Sequence, residues 1–94
     1  MKRVDLTNYT VEDGKPYLVV DSLVALLFNP NLSLSALSLR THNKIADKIE
    51  ACKEQGMDFV DLEDAEFETL KMSVEAYRGY VRNDFELVDR ILGA

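Results

Sequence analysis

The sequence predicts an α+β fold, an N-terminal β-hairpin packed on a mainly helical bundle of three to four helices. Three observations carry that prediction. Asp13-Gly14 lies between two β-prone runs, the arrangement that favours a tight hairpin because glycine reaches positive φ freely. Ser35 and Gly56 bracket a long stretch with helical spacing, one as a start signal and the other as a stop. Phe67, Leu70, Val74, Tyr77 and Val81 recur at spacings of 3, 4, 3 and 4, the cleanest amphipathic pattern in the chain.

The elements follow in order. Residues 4–11 alternate, with Val4, Leu6 and Thr10 on one face, and read as a strand. Glu12-Asp13-Gly14-Lys15-Pro16 is the turn. Tyr17-Leu18-Val19-Val20 is the returning strand, starting after Pro16 because proline cannot donate to a ladder. Asp21 or Ser22 can cap a short helix over Leu23–Phe28, ended by Asn29-Pro30. This piece is apolar nearly all round, which places it across the core. Asn31–Ser35 is a link. The long helix runs from Ser35 to Gln55, with Ile45, Ile49 and Cys52 on one stripe and His42 extending it backwards. Met57–Leu62 is a short extended segment and a candidate third strand. A helix from about Glu63 carries the Phe67–Val81 stripe, weakened near its end by Gly79. Asn83 or Asp84 can cap a last helix whose apolar face is Phe85, Val88, Ile91 and Leu92. A two-stranded hairpin is marginal alone in water, so it must pack on the helices or on another chain.

With 94 residues, the chain is expected to form one domain, residues 1–94, since a second would need about 100 more. The hydrophobic fraction, 47%, is near the globular average and excludes a disordered chain. Cys52 is the only cysteine, which excludes a disulfide scaffold. The longest apolar run, Leu23–Phe28, is six residues, whereas a membrane helix needs about 20, so no membrane association is expected. No apolar stretch follows Met1-Lys2-Arg3, and with a single thiol this points to a reducing cytoplasm.

The net charge of −6 argues against nucleic-acid binding by bulk electrostatics, but it is unevenly distributed. Residues 58–94 hold ten of the seventeen acids and four of the eleven bases. Asp58, Asp61, Glu63, Asp64, Glu66 and Glu68 fall within eleven residues without one base. Acids at a helix start complement its dipole, and that explanation competes with a partner-binding acidic face. The spacing of a calcium loop is absent, so no metal is predicted. Arg40, Lys44 and Lys48 follow at i, i+4 and i+8 on the long helix, a basic stripe that suits an anionic small ligand or a pairing with the acidic segment. A nucleic-acid-linked regulator would also work through it. Arg78 and Arg82 interleave with Tyr77 and Tyr80, a composition favoured at protein interfaces.

No catalytic set is evident. His42 and Cys52, ten residues apart on one helix, lie about 15 Å apart along its axis and cannot form a nucleophile pair. His42 reads as a surface or boundary histidine and Cys52 as a small buried hydrophobe. Gly14, Gly56, Gly79 and Gly93 are isolated and make no phosphate loop, and no cofactor is implied.

Val4-Asp5-Leu6-Thr7-Asn8-Tyr9-Thr10, Val20-Asp21-Ser22-Leu23, Leu27-Phe28-Asn29-Pro30, Lys44-Ile45-Ala46-Asp47-Lys48-Ile49 and the ending Arg82 to Leu92 resemble small proteins of tailed bacteriophages and prophages. The resemblance implies a phage or prophage setting and no particular activity. The expectation is a non-enzymatic accessory protein that acts by stoichiometric contact with a protein partner or with itself, in virion assembly or on a host protein. A homo-oligomeric sponge for an anionic ligand is the alternative. The residues expected at a contact are Asp58, Asp61, Glu63, Asp64, Tyr77, Arg78, Tyr80 and Arg82.

Overall fold

The computed structural model describes all 94 residues. The chain begins with β1 (Lys2–Asp5) and then turns at Leu6–Asn8 into a minimal hairpin, β2 (Tyr9–Thr10) and β3 (Pro16–Tyr17). The single strand expected over residues 4–11 is therefore two. The break is local chemistry: the Thr7 N–H donates to Asp5 Oδ1 at 2.8 Å, a turn that competes with the ladder. The hairpin turn itself forms where Asp13-Gly14 places it. Gly14 has φ 73°, and the Val11 N–H donates to the Lys15 carbonyl at 3.0 Å.

The returning strand stops at Tyr17. Val19 and Val20, expected as strand, open helix α1 (Val19–Leu27). Their β-branched side chains favour a strand locally, but both are buried and the helix start is supported from elsewhere. The Val19 N–H donates to Asn8 Oδ1 at 3.0 Å, so Asn8 satisfies an orphan donor of a helix eleven residues further on. A short 3₁₀ turn (Pro30–Leu32) follows, and Ser33 takes the left-handed conformation at φ 51°.

Helix α2 (Ala36–Glu54) starts as expected, with the Ser35 hydroxyl accepting from the Ser38 N–H at 3.2 Å. It stops at Gly56, φ 74°, where the Gly56 and Met57 N–H groups return to the Lys53 and Cys52 carbonyls. The candidate third strand is β4 (Phe59–Leu62), and its partner is β1. The pair is antiparallel with Lys2 opposite Leu62 and Val4 opposite Val60, so Val4, Val60 and Leu62 turn inward.

Helix α3 (Asp64–Ala76) is shorter than its apolar pattern. Tyr77 is already extended, φ −72° and ψ 137°, and Gly79 reverses the chain at φ 113°. Tyr80 folds back, and its hydroxyl donates to the Val74 carbonyl at 2.8 Å, occupying one of the orphan acceptors at the helix end. Phe67, Leu70 and Val74 keep their core places, while Val81 is exposed. After a 3₁₀ turn (Arg82–Asp84) comes α4 (Phe85–Leu92). Its core seam is Leu87 and Ile91, at i and i+4, with Ile91 the one fully buried member of the expected face. Phe85 and Leu92 are exposed and Val88 is half-buried.

The result is an α+β arrangement of four helices with two small antiparallel strand pairs. The core joins Leu23 and Leu27 of α1, Ile45 and Ile49 of α2, Leu70 and Val74 of α3, and the α4 seam. No helix is long and apolar enough to cross a membrane.

Candidate functional site

Half of the acidic segment, Asp61, Asp64 and Glu66, is engaged in ion pairs inside the chain. Asp61 on β4 faces Arg3 on β1, which donates from Nε at 2.9 Å and from its terminal nitrogen at 3.2 Å. That double bond from Arg3 holds the Asp61 carboxyl below the usual carboxylate range. Arg3 also lies over the Phe59 ring at 4.0 Å. Asp64 lies 3.2 Å from the Met1 ammonium. Glu63 and Asp58 are exposed and form no ion pair, while the Asp58 carbonyl accepts from the Leu6 N–H at 2.7 Å.

Glu66, in the first turn of α3, links two features. Its Oε1 accepts from Lys48 Nζ at 2.7 Å and from the Glu63 N–H at 2.9 Å. Burial opposes its ionisation, but these two hydrogen bonds, with the charges of Lys48 and Lys44, outweigh burial and lower its pKa. The end of the basic stripe is thus committed to the acidic segment of the same chain. Arg40 and Lys44 remain exposed, with no ion pair.

The tyrosine–arginine set divides. Tyr77 and Tyr80 meet edge to face, ring centres 4.8 Å apart. Arg78 is exposed and lines neither of the two concavities beside them, whereas Arg82 and Tyr80 line the larger. That larger one is an open groove of about 650 Å³ between the hairpin and α4. Its walls include Tyr9, Val11, Tyr80, Val81, Phe85 and Val88, with Glu12, Arg82 and Glu86 at polar positions. Phe85 is 68% exposed and Val81 63%.

The groove is framed by stacked rings and hydrogen bonds. Tyr9 and Tyr17 stack with ring centres 4.6 Å apart and an interplanar angle of 11°. The Tyr9 hydroxyl donates to the Asn83 carbonyl at 2.7 Å, and the Tyr17 hydroxyl to Asp84 Oδ1 at 2.5 Å. Asp84 Oδ2 accepts from the Val81 N–H at 2.8 Å. Arg90 crosses from α4 to donate to the Thr7 carbonyl at 2.7 Å, pairs with Glu86, and lies 5.3 Å from the Tyr9 ring centre.

A second pocket of about 310 Å³ lies beside the first and shares Tyr80 with it. Tyr17, Tyr77, Tyr80, Asn29, Ser22 and Asp84 are on its walls. Burial, followed by the Asp84 charge, pushes the Tyr80 phenol up to about 12. Burial and the hydrogen bond to Asp84 push the Tyr17 phenol higher still. Asn29 is buried, and its Nδ2 has no hydrogen-bond partner, although Oδ1 accepts from the Asn31 N–H at 3.1 Å.

His42 departs from the surface or boundary role expected of it. It is buried, with Nδ1 2.7 Å from the Leu27 carbonyl, and so ties α2 to the end of α1. The geometry requires the tautomer with the proton on Nδ1, because the carbonyl can only accept. Cys52 is half-buried against the core edge, less covered than expected. No group of three or more His, Cys, Asp or Glu side chains is arranged to hold a metal ion.

Phe85, Val81, Val11 and Asp84 went unrecognised as site residues from sequence. A signal existed in α4: Leu87 and Ile91 form one stripe, and Phe85, Val88 and Leu92 form another. An eight-residue helix on a small core cannot bury both, so one stripe is surplus to the fold.

No family model, curated protein or solved structure matches the chain.

Proposed function

We propose that this chain acts by stoichiometric protein–protein contact and not by catalysis, using the groove between the hairpin and α4. One observation carries the reading. Phe85 and Val81 stand exposed on a groove whose other walls are Tyr9, Val11, Tyr80 and Val88, although α4 already has a complete core seam without Phe85. Exposed apolar side chains gathered on a framed concavity are characteristic of an interaction surface. Tyr80 and Arg82 supply the aromatic and guanidinium contacts favoured at interfaces. The occupant that fits is a protein face offering an apolar side chain to Phe85 and mixed charge to Arg82, Glu12 and Glu86. The setting we propose is a phage or prophage one, with a virion or host protein as partner; the support is the resemblance of the quoted segments.

The test pairs the native chain with Phe85→Ser. Phe85 is exposed, so the variant should keep its fold and its stability within about 0.5 kcal/mol. Light scattering after size exclusion reads self-association, and capture from host lysate with identification of the bound protein reads a partner. Binding that the Phe85 change abolishes supports the reading. A monomer that captures the same proteins with and without Phe85 refutes it.

A further inference from the structure

We propose that the pocket beside Tyr80 binds an organic monocation, a guanidinium or alkylammonium group, between tyrosine rings and the Asp84 carboxylate. The inference rests on the pocket's own chemistry and does not depend on the groove serving as a contact face.

Three of its nine lining residues are Tyr17, Tyr77 and Tyr80, and the single charged one is Asp84. A ring that turns its face to a concavity attracts a cation there, because the face carries the negative part of its quadrupole, and a carboxylate adds to that attraction. Here one is added, and it is uncompensated. Asp84 accepts only from neutral donors, the Tyr17 hydroxyl and the Val81 N–H, and enters no ion pair. Those two bonds fix both of its oxygens, so the charge is held in place before any ligand arrives. No lysine, arginine or histidine lines the pocket to compete for it. The raised pKa values of Tyr80 and Tyr17, caused by burial and by Asp84, agree with a pocket whose field is negative and whose phenols stay neutral at physiological pH. The same field disfavours an anion here, which separates this pocket from the stripe of Arg40 and Lys44.

Asn29 belongs to the same lining, but its unpartnered Nδ2 is itself covered, so recognition here rests on the rings and the carboxylate.

The experiment is an NMR titration of the ¹³C,¹⁵N-labelled chain at fixed ionic strength, following tyrosine ring and Asn29 side-chain shifts. The probes are butylguanidinium, Nα-acetyl-arginine methylamide, and its neutral isostere Nα-acetyl-citrulline methylamide. Saturable shifts at Tyr77 and Tyr80 are expected with the two cations, in the millimolar range, and not with citrulline. Tighter binding of the arginine amide assigns the cation to a peptide side chain, and equal or tighter binding of butylguanidinium assigns it to a free small-molecule cation. Asp84→Asn keeps one acceptor for the local hydrogen bonds and should weaken cation binding by about fivefold or more. Tyr77→Leu removes a half-buried ring of the pocket wall while keeping an apolar side chain against the core, and should do the same if Asp84→Asn fails to fold. Equal shifts with citrulline, no saturation by either cation, or unchanged affinity in a folded variant overturns the proposal.

Discussion

Arg90 should be a principal tie between the two ends of the chain, and replacing it tests that directly. Its guanidinium donates to the Thr7 carbonyl at 2.7 Å and more weakly to the Asp5 carbonyl at 3.3 Å. It also pairs with Glu86, and its plane lies over Tyr9. Only 17% of the side chain is exposed, while Glu86 and Asp5 are more than half exposed. The ion pairs therefore contribute little, about 0.5 kcal/mol together. A charged hydrogen bond to a backbone carbonyl is worth about 1.5–3 kcal/mol when its loss is not made good by water, and Thr7 is exposed enough for water to recover part of that. Arg90→Ala should cost about 2 kcal/mol. For a domain of this size, that lowers the melting temperature by about 8–16 °C. Glu86→Gln, which removes only the exposed pair, should cost less than about 0.5 kcal/mol. Urea unfolding followed by circular dichroism gives both values. If Arg90→Ala costs no more than Glu86→Gln, the carbonyl contacts do not hold the end of β1 and the turn after it to α4 and the reasoning fails.

Three further predictions follow from the same geometry. Glu66→Gln should destabilise the protein at neutral pH. Because Glu66 has a lowered folded pKa, its contribution is complete above the unfolded value of about 4.5 and disappears as pH falls through the folded one, so native and variant should converge in urea titrations as the pH is taken below that unfolded value. Tyr80 has a raised folded pKa, so its contribution is complete below the unfolded value of about 10 and is lost as pH rises towards 12. Absorbance titration at about 295 nm should show an ionisation near pH 12 that Tyr80→Phe removes, and the variant should lose less stability between those limits; an unchanged titration would refute the assignment. His42→Ala removes the bond to the Leu27 carbonyl and leaves a void between α1 and α2, and should cost about 2–3 kcal/mol in chemical unfolding; a cost below about 0.5 kcal/mol would show that the contact is not stabilising.

What could be read from sequence was whatever is encoded locally. The Asp13-Gly14 turn, the Ser35 cap, the Gly56 stop and the Phe67–Val74 stripe each depend on residues within a turn or two, and each appears where its chemistry puts it. The misplaced elements depend on distant partners. Val19 and Val20 are helical with a cap from Asn8, and α3 stops where Tyr80 returns to its last turn. Strand β1 ignores the adjacent hairpin because its inward residues match Val60 and Leu62 across the core. The candidate site was legible only in part. Tyr77, Tyr80 and Arg82 were singled out by composition, and all three line the two concavities. Asp84 looked like a helix cap, and Phe85 looked like core. Only the tertiary placement of α4 shows that Leu87 and Ile91 fill the core, leaving Phe85 outside.

The pairing of Arg3 with Asp61 spans 58 residues. During synthesis at roughly 5–20 residues per second, β1 is made about 3–12 s before its partner. Over that interval Val4 has no ladder and no core to cover it, whereas α1 and α2 can close their own hydrogen bonds within microseconds. β1, made before its partner, is thus placed only once β4 exists. It waits as an unpaired edge, flanked by Lys2, Arg3 and Asp5, and side chains of this kind keep such edges from adding to one another.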